Sequence, residues 1–258
     1  MLHSHTFKEK LKDMSLLTPL IWISFMLPLI AIAYAKSKKV NSKFLIFFIV
    51  YFLADCYIQH FSRQYFSLDA IGLKFSWIGK ILSLLLSLII IFSVNNTHRE
   101  QIGFTSKSNA KKQVKFGIFI FLGFLLFDLI FKFILFPKGA NFDLETFAFQ
   151  ATMPGLTEEL AFRGICFWLL DQTFQPQWNI KGISFGWGFI IVTLLFSVAH
   201  GIVLTEDHQL KFDIITIIYL TLISSLSVGL LRKFSGNLVY PVIGHNMINV
   251  LNALIRIL

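Results

Sequence analysis

The chain carries repeated, unbroken apolar runs of membrane-spanning length, and no other feature limits its fold so strongly. Inside a bilayer every backbone N–H and C=O must be satisfied within the protein, so only helices or closed barrels cross it. The runs are continuous rather than alternating, which selects helices. They cover about residues 16–35, 44–58, 71–94, 116–136, 147–170, 183–204, 214–231 and 238–258. The expected fold is therefore all-α, a polytopic membrane protein of about eight transmembrane helices. The first run is longer than a signal-peptide core and is expected to be retained. No internal repeat and no soluble domain is visible. The chain divides into residues 1–146, four spans without an assignable motif, and residues 147–258, four spans that carry the chemistry-bearing residues.

Of the 258 residues 55% are hydrophobic and only 14% charged, yet the net charge is +9. That charge lies largely in short loops, where it sets orientation and meets anionic lipid headgroups; no nucleic-acid partner is implied. Lysine and arginine concentrate after the first, third, fifth and seventh spans, notably in residues 36–43 and 99–115. The positive-inside rule then puts these loops in the cytoplasm and both termini outside, although Lys8, Lys10 and Lys12 in the N-terminal tail argue the other way. Cys56 and Cys166 both lie in apolar segments and read as free thiols.

Ionised groups inside a membrane are costly and usually functional, so Thr157-Glu-Glu-Leu-Ala-Phe-Arg-Gly164 stands out. On a helix Glu159 and Arg163, at i and i+4, pair on one face with the glutamate N-terminal. Glu158 is rotated about 100° away and left out of that pair. Pro154-Gly155 just before it is expected to kink or break the helix and admit water beside Glu158. Asp128 has Lys132 at i+4 and reads as an internal salt bridge. Asp55, near the end of a short span, is expected to reach interfacial water or Arg63.

Two later segments add histidines. Phe196-x-x-x-His200 ends the sixth span, and His245, Asn249, Asn252 and Arg256 form a polar stripe on the eighth helix. Such a stripe faces protein or water, not lipid; Asn252 alone reads as packing between helices. At about 1.5 Å per residue, Glu158 and Asn249 fall roughly 16 and 14 Å below the same membrane face. His200 falls only roughly 6 Å below it and must be brought deeper by a tilted or longer helix.

Taken in order, Glu158-Glu159-x-x-x-Arg163, Phe196-x-x-x-His200 and His245-x-x-x-Asn249 resemble the three motifs of the CAAX protease and bacteriocin-processing (CPBP, or Abi) family of intramembrane glutamic endopeptidases. The resemblance covers about residues 147–252; Phe162, Gly164 and the Ser235-Gly236-Asn237 turn also fit it. It implies that Glu158, assisted by His200, activates a water against a peptide carbonyl, and that His245 and Asn249 supply donors to the oxyanion. Glu159 and Arg163 would support them from behind. It implies no cofactor and no metal, a membrane-tethered peptide or protein as substrate, and a bacterial inner membrane as location. Desolvation near mid-membrane and donors converging in a low-dielectric site make this chemistry physically reasonable.

Three other classes stay open. A zinc metalloprotease could use Glu158, Glu159, His200 and His245, but there is no His-Glu-x-x-His helix and Arg163 would repel the cation. A transporter could use the acid–histidine chain as a proton relay, but lacks the inverted repeats expected of one. A membrane scaffold or immunity protein could keep the motifs and act by binding alone.

Overall fold

The computed structural model describes residues 15–66, 68, 72–135 and 138–258. The basic tail with Lys8, Lys10 and Lys12, the expected start of the third span at Ile71 and the end of the fourth at Pro137 lie outside the described residues. The elements in order are α1 (Thr18–Lys36), α2 (Ser42–Tyr65), α3 (Trp77–Ser93), α4 (Asn96–Ile102) and α5 (Lys111–Leu135). A long helical run follows as α6 (Leu144–Glu158), a π-helical stretch (Glu159–Cys166) and α7 (Phe167–Phe174). A hairpin of β1 (Trp178–Ile180) and β2 (Ile183–Phe185) leads into α8 (Trp187–Gly201), and a second, β3 (Ile202–Leu204) with β4 (Leu210–Phe212), leads out. The chain closes with α9 (Ile214–Tyr219), a second π-helical stretch (Leu220–Ser225), α10 (Leu226–Ser235) and α11 (Val239–Ile257).

The protein is an all-α integral membrane protein. Among the described residues, the helices Thr18–Lys36, Ser42–Tyr65, Lys111–Leu135 and Ile214–Ser235 are long and apolar enough to cross a bilayer; Trp77–Ser93 and Trp187–Gly201 are apolar but shorter. Length and composition alone thus license four crossings rather than eight. The sixth run is shorter as a helix than expected because both its ends fold into hairpins. Trp178-Asn-Ile-Lys-Gly-Ile-Ser-Phe185 alternates, and Lys181 and Gly182 take positive φ (52° and 81°), the backbone of a tight two-residue hairpin turn. Asn179 Oδ1 accepts from Gly182 N at 2.9 Å and closes it.

The segment Glu159–Cys166 is the centre of the molecule: all eight of its residues are buried. A helix buried all round needs neighbours on every side, and these come from both halves of the chain. Trp22, Phe48 and Phe52 join Phe162, Trp168, Leu195 and Phe196 in one apolar cluster. Phe162 meets Phe52 and Phe196 edge-on at 6.0 and 5.0 Å. α1 is tied to β3, just past the end of α8, by Trp22 Nε1 donating to Ile202 O (2.7 Å) and Thr18 Oγ1 to Leu204 O (3.1 Å). The start of α3 is held on α6 by Glu145, which accepts from Lys74 N, Phe75 N and Trp77 Nε1, and by Phe75 stacked on Phe149 at 4.4 Å.

α6 runs helical through Pro154, so the break expected there does not occur. The irregularity comes five residues later, in the widened turns that begin at Glu159. Gly155 instead serves close packing: a Cβ on it would lie 2.7 Å from the Val242 carbonyl oxygen, and its N–H donates to Asn246 Oδ1 at 2.8 Å. That contact lays α11 directly against α6 and sets the depth of His245 opposite the glutamates.

Asp128 and Lys132 form the expected buried pair at 2.8 Å. Asp55 does not reach Arg63 or the interface. It is turned inward, accepting from Ser83 Oγ (2.5 Å) and Gln59 Nε2 (2.8 Å), because α3 packs alongside its helix. Cys56 and Cys166 are both free.

Candidate active site

Glu158 ends the regular part of α6, and Glu159 opens the π-helical stretch, so the two carboxylates diverge. The Glu159 side chain is fully buried. Its Oε1 lies 3.1 Å from Arg163 Nη1, an ion pair by distance rather than a well-directed hydrogen bond. The same oxygen is 2.7 Å from His245 Nδ1. Arg163 is further held by Ser225 O at 3.3 Å and by the Phe196 ring, 4.1 Å away. The i,i+4 pair is thus present, and it also grips a histidine from α11, which the sequence spacing gave no sign of.

His200 lies in the last turn of α8, half-buried, with Nδ1 2.7 Å from Phe196 O, four residues back. A carbonyl only accepts, so this Nδ1 carries the proton. The helix stops at Gly201, where a Cβ would lie 2.3 Å from Ile217 Cγ1 and 3.0 Å from Asp213 O; the absent side chain lets α9 close against the histidine turn. In His245, Nδ1 faces the Glu159 carboxylate and is likewise the donor. Both rings therefore present Nε2 to the same point. His200 Nε2 is 3.7 Å and His245 Nε2 3.9 Å from Glu158 Oε2. These separations exceed a direct hydrogen bond and suit one shared water. The depth shortfall anticipated for His200 does not arise.

The other oxygen of Glu158 is also engaged. Lys80 Nζ, from the first turns of α3, lies 2.8 Å from Oε1, with the two side chains 14% and 16% exposed. Glu158 is free of Arg163, as its helical position dictates, but it is not unpaired. This corrects the expectation of an unpaired carboxylate, and it brings a residue of the first four spans, which carry no assignable motif, to the site. Asn249 stands one turn past His245 and half-buried; among the described residues no hydrogen bond joins it to Glu158, His200 or His245. Asn252, a further turn along, is half-buried with its Oδ1 lacking a partner. Arg256 reaches the exposed end of the stripe.

Glu159 is the post that holds both Arg163 and His245, so its loss strands a buried cation. Glu159→Gln is expected to destabilise the protein by about 3–5 kcal/mol, the usual result of breaking a buried pair from one side. Thermal unfolding in detergent checks this, and a melting midpoint equal to that of the unaltered protein would remove the post.

Residues 140–251 match the family model described as type II CAAX prenyl endopeptidase Rce1-like. Searches of curated proteins and of solved structures give no match. The match spans Glu158, Glu159, Arg163, His200, His245 and Asn249 and stops short of Lys80. The family is one of membrane proteases, and the segment that builds this centre, residues 140–251, belongs to it: a CPBP-family, Rce1-like segment.

Proposed function

We propose that the protein is an intramembrane glutamic endopeptidase that hydrolyses a peptide bond in a membrane-associated peptide or protein. The observation that carries this reading is the convergence of His200 Nε2 and His245 Nε2 on Glu158 Oε2, at 3.7 and 3.9 Å. A water at that point meets one carboxylate oxygen and two imidazole nitrogens; with both rings protonated at Nδ1 all three are acceptors, and its two O–H bonds serve Glu158 and one histidine at a time. Glu158, with His200 beside it, takes the proton as the water oxygen bonds to the substrate carbonyl carbon. The tetrahedral intermediate then collapses, the C–N bond breaks, and the proton passes to the leaving amine. The oxyanion falls to donors on α11. Asn249 offers its amide N–H; His245 can donate from Nε2 only when both ring nitrogens carry protons, since Glu159 holds Nδ1–H.

The family's description is that of a CAAX prenyl endopeptidase; for this chain the proposed substrate class is a membrane-tethered peptide or protein, and a bacterial inner membrane is the proposed location. The four helices long and apolar enough to cross a bilayer favour a substrate presented at or within the membrane. Comparative peptidomics of membranes containing the unaltered protein and Glu158→Gln tests the reading. An uncut precursor should accumulate with the variant, and identical peptide profiles would sink it.

A zinc centre would compete for the same groups. Glu159 Oε1 is already taken by His245 and Arg163, and Lys80 sits on Glu158, so two cations flank the space a third would need. Turnover is therefore expected to survive exhaustive treatment with a strong chelator. Loss of turnover restored only by added zinc would replace the glutamic reading with a metalloprotease.

A further inference from the structure

We propose that Lys80 is a positioning residue of the catalytic centre, holding one oxygen of Glu158 so that the other faces His200 and His245; the proposal rests on Glu158 acting as the base. A lysine in the first turn of an apolar helix ordinarily extends along it to place its ammonium in the headgroup region. Lys80 does the opposite. Its side chain turns into the protein and ends 2.8 Å from Glu158 Oε1.

What surrounds it explains why a cation is tolerated there. Ser83, three residues on and hence on the same face of α3, donates to Asp55 Oδ1, and Asp55 is further fixed by Gln59. A second buried carboxylate thus lies behind the ammonium and interacts with it electrostatically. Further along the same helix pair, Tyr51 and Ser87 share a hydrogen bond at 2.8 Å, so α2 and α3 are joined by polar contacts over two turns. Contact is close at Gly79, the residue before Lys80, where a Cβ would lie 3.4 Å from Ser62 Cβ. The start of α3 is in turn clamped to α6 through Glu145. Lys80 is held from both sides.

The consequence for Glu158 is a division between its oxygens. Oε1 is bound to Lys80; Oε2 is left to the two Nε2 atoms. Without the ammonium the carboxylate can rotate about its last torsion and exchange the two, and the water loses its fixed partner. The first half of the chain, beyond the matched segment, would then be part of the catalytic machinery as well as its support.

The test compares Lys80→Met and Lys80→Arg, on the peptide that accumulates uncut in Glu158→Gln membranes. Lys80→Met should lower kcat per folded enzyme about 10²-fold, the scale expected when a reacting group is misplaced by about an ångström, with KM nearly unchanged. Lys80→Arg keeps a cation and should recover part of the loss. Wild-type kcat in Lys80→Met would overturn the proposal while leaving the base reading intact, provided Glu158→Gln is inactive. A raised KM at unchanged kcat would overturn it too, by making Lys80 a substrate contact. Should Lys80→Met fold poorly, the double variant Lys80→Met/Glu158→Gln carries the test, since it removes both charges. Its loss in melting midpoint should be smaller than the sum of the two single losses, and strictly additive losses would overturn the pairing.

Discussion

Glu158→Gln is expected to lower peptide cleavage by at least about 10²–10⁴-fold, the usual contribution of a general base. Glutamine keeps the shape of the side chain and can still meet Lys80, His200 and His245, but it cannot take a proton from water. The structure adds a second effect. Because Lys80 Nζ lies 2.8 Å from Oε1, the variant also strands an ammonium, and the protein should lose stability. Breaking a fully buried pair from one side costs about 3–5 kcal/mol; with these side chains 14% and 16% exposed, some solvent screening brings the figure below that. Rate and melting midpoint should therefore both fall, and turnover must be normalised to folded protein. Full turnover of folded Glu158→Gln would remove the base and with it the glutamic mechanism.

The residues that the sequence made legible share one property: their partners lie within one helical turn. Glu159 with Arg163 and Asp128 with Lys132 are both i,i+4 pairs, and both are present. The Ser235-Gly236-Asn237 turn, which fits the family pattern, is present, and Gly236 takes the left-handed backbone (φ 85°) that ends α10. The three motifs could be matched to a family as local patterns. What they could not show was which helix faces which. Lys80 is 78 residues from Glu158, and nothing local in Trp-Ile-Gly-Lys80 marks it as that residue's partner. Asp55 finds Ser83 rather than Arg63 for the same reason.

The π-helical stretch was hidden in another way. Its composition is that of an ordinary amphipathic helix, and no residue in it marks the change of pitch. Widened turns of this kind recur at functional sites. Here the change of helical pitch falls between the two glutamates. One carboxylate is aimed at Arg163 and His245, the other at Lys80 and the Nε2 atoms.

Asn249 bears the strongest remaining demand, because its role rests on position alone. It shares the inner face of α11 with His245, one turn away, and that helix is pinned to α6 by Asn246 on Gly155 N. If its amide donates to the oxyanion, Asn249→Ala should lower kcat about 10²–10³-fold, as loss of one such donor does in other hydrolases. KM should change little, since the bond strengthens only as charge develops on the carbonyl oxygen. The freedom of Asn249 from Glu158 and both histidines is consistent with that role, because an oxyanion donor must be available when the intermediate forms. Asn252→Ala is the control: it lies on the same stripe, half-buried, with an unpartnered Oδ1, and its removal should leave kcat nearly unchanged. Equal kcat in Asn249→Ala and the unaltered enzyme would leave His245, carrying both protons, as the oxyanion donor on α11. Equal losses in Asn249→Ala and Asn252→Ala would mean that the stripe acts by packing α11, and that neither amide meets the substrate.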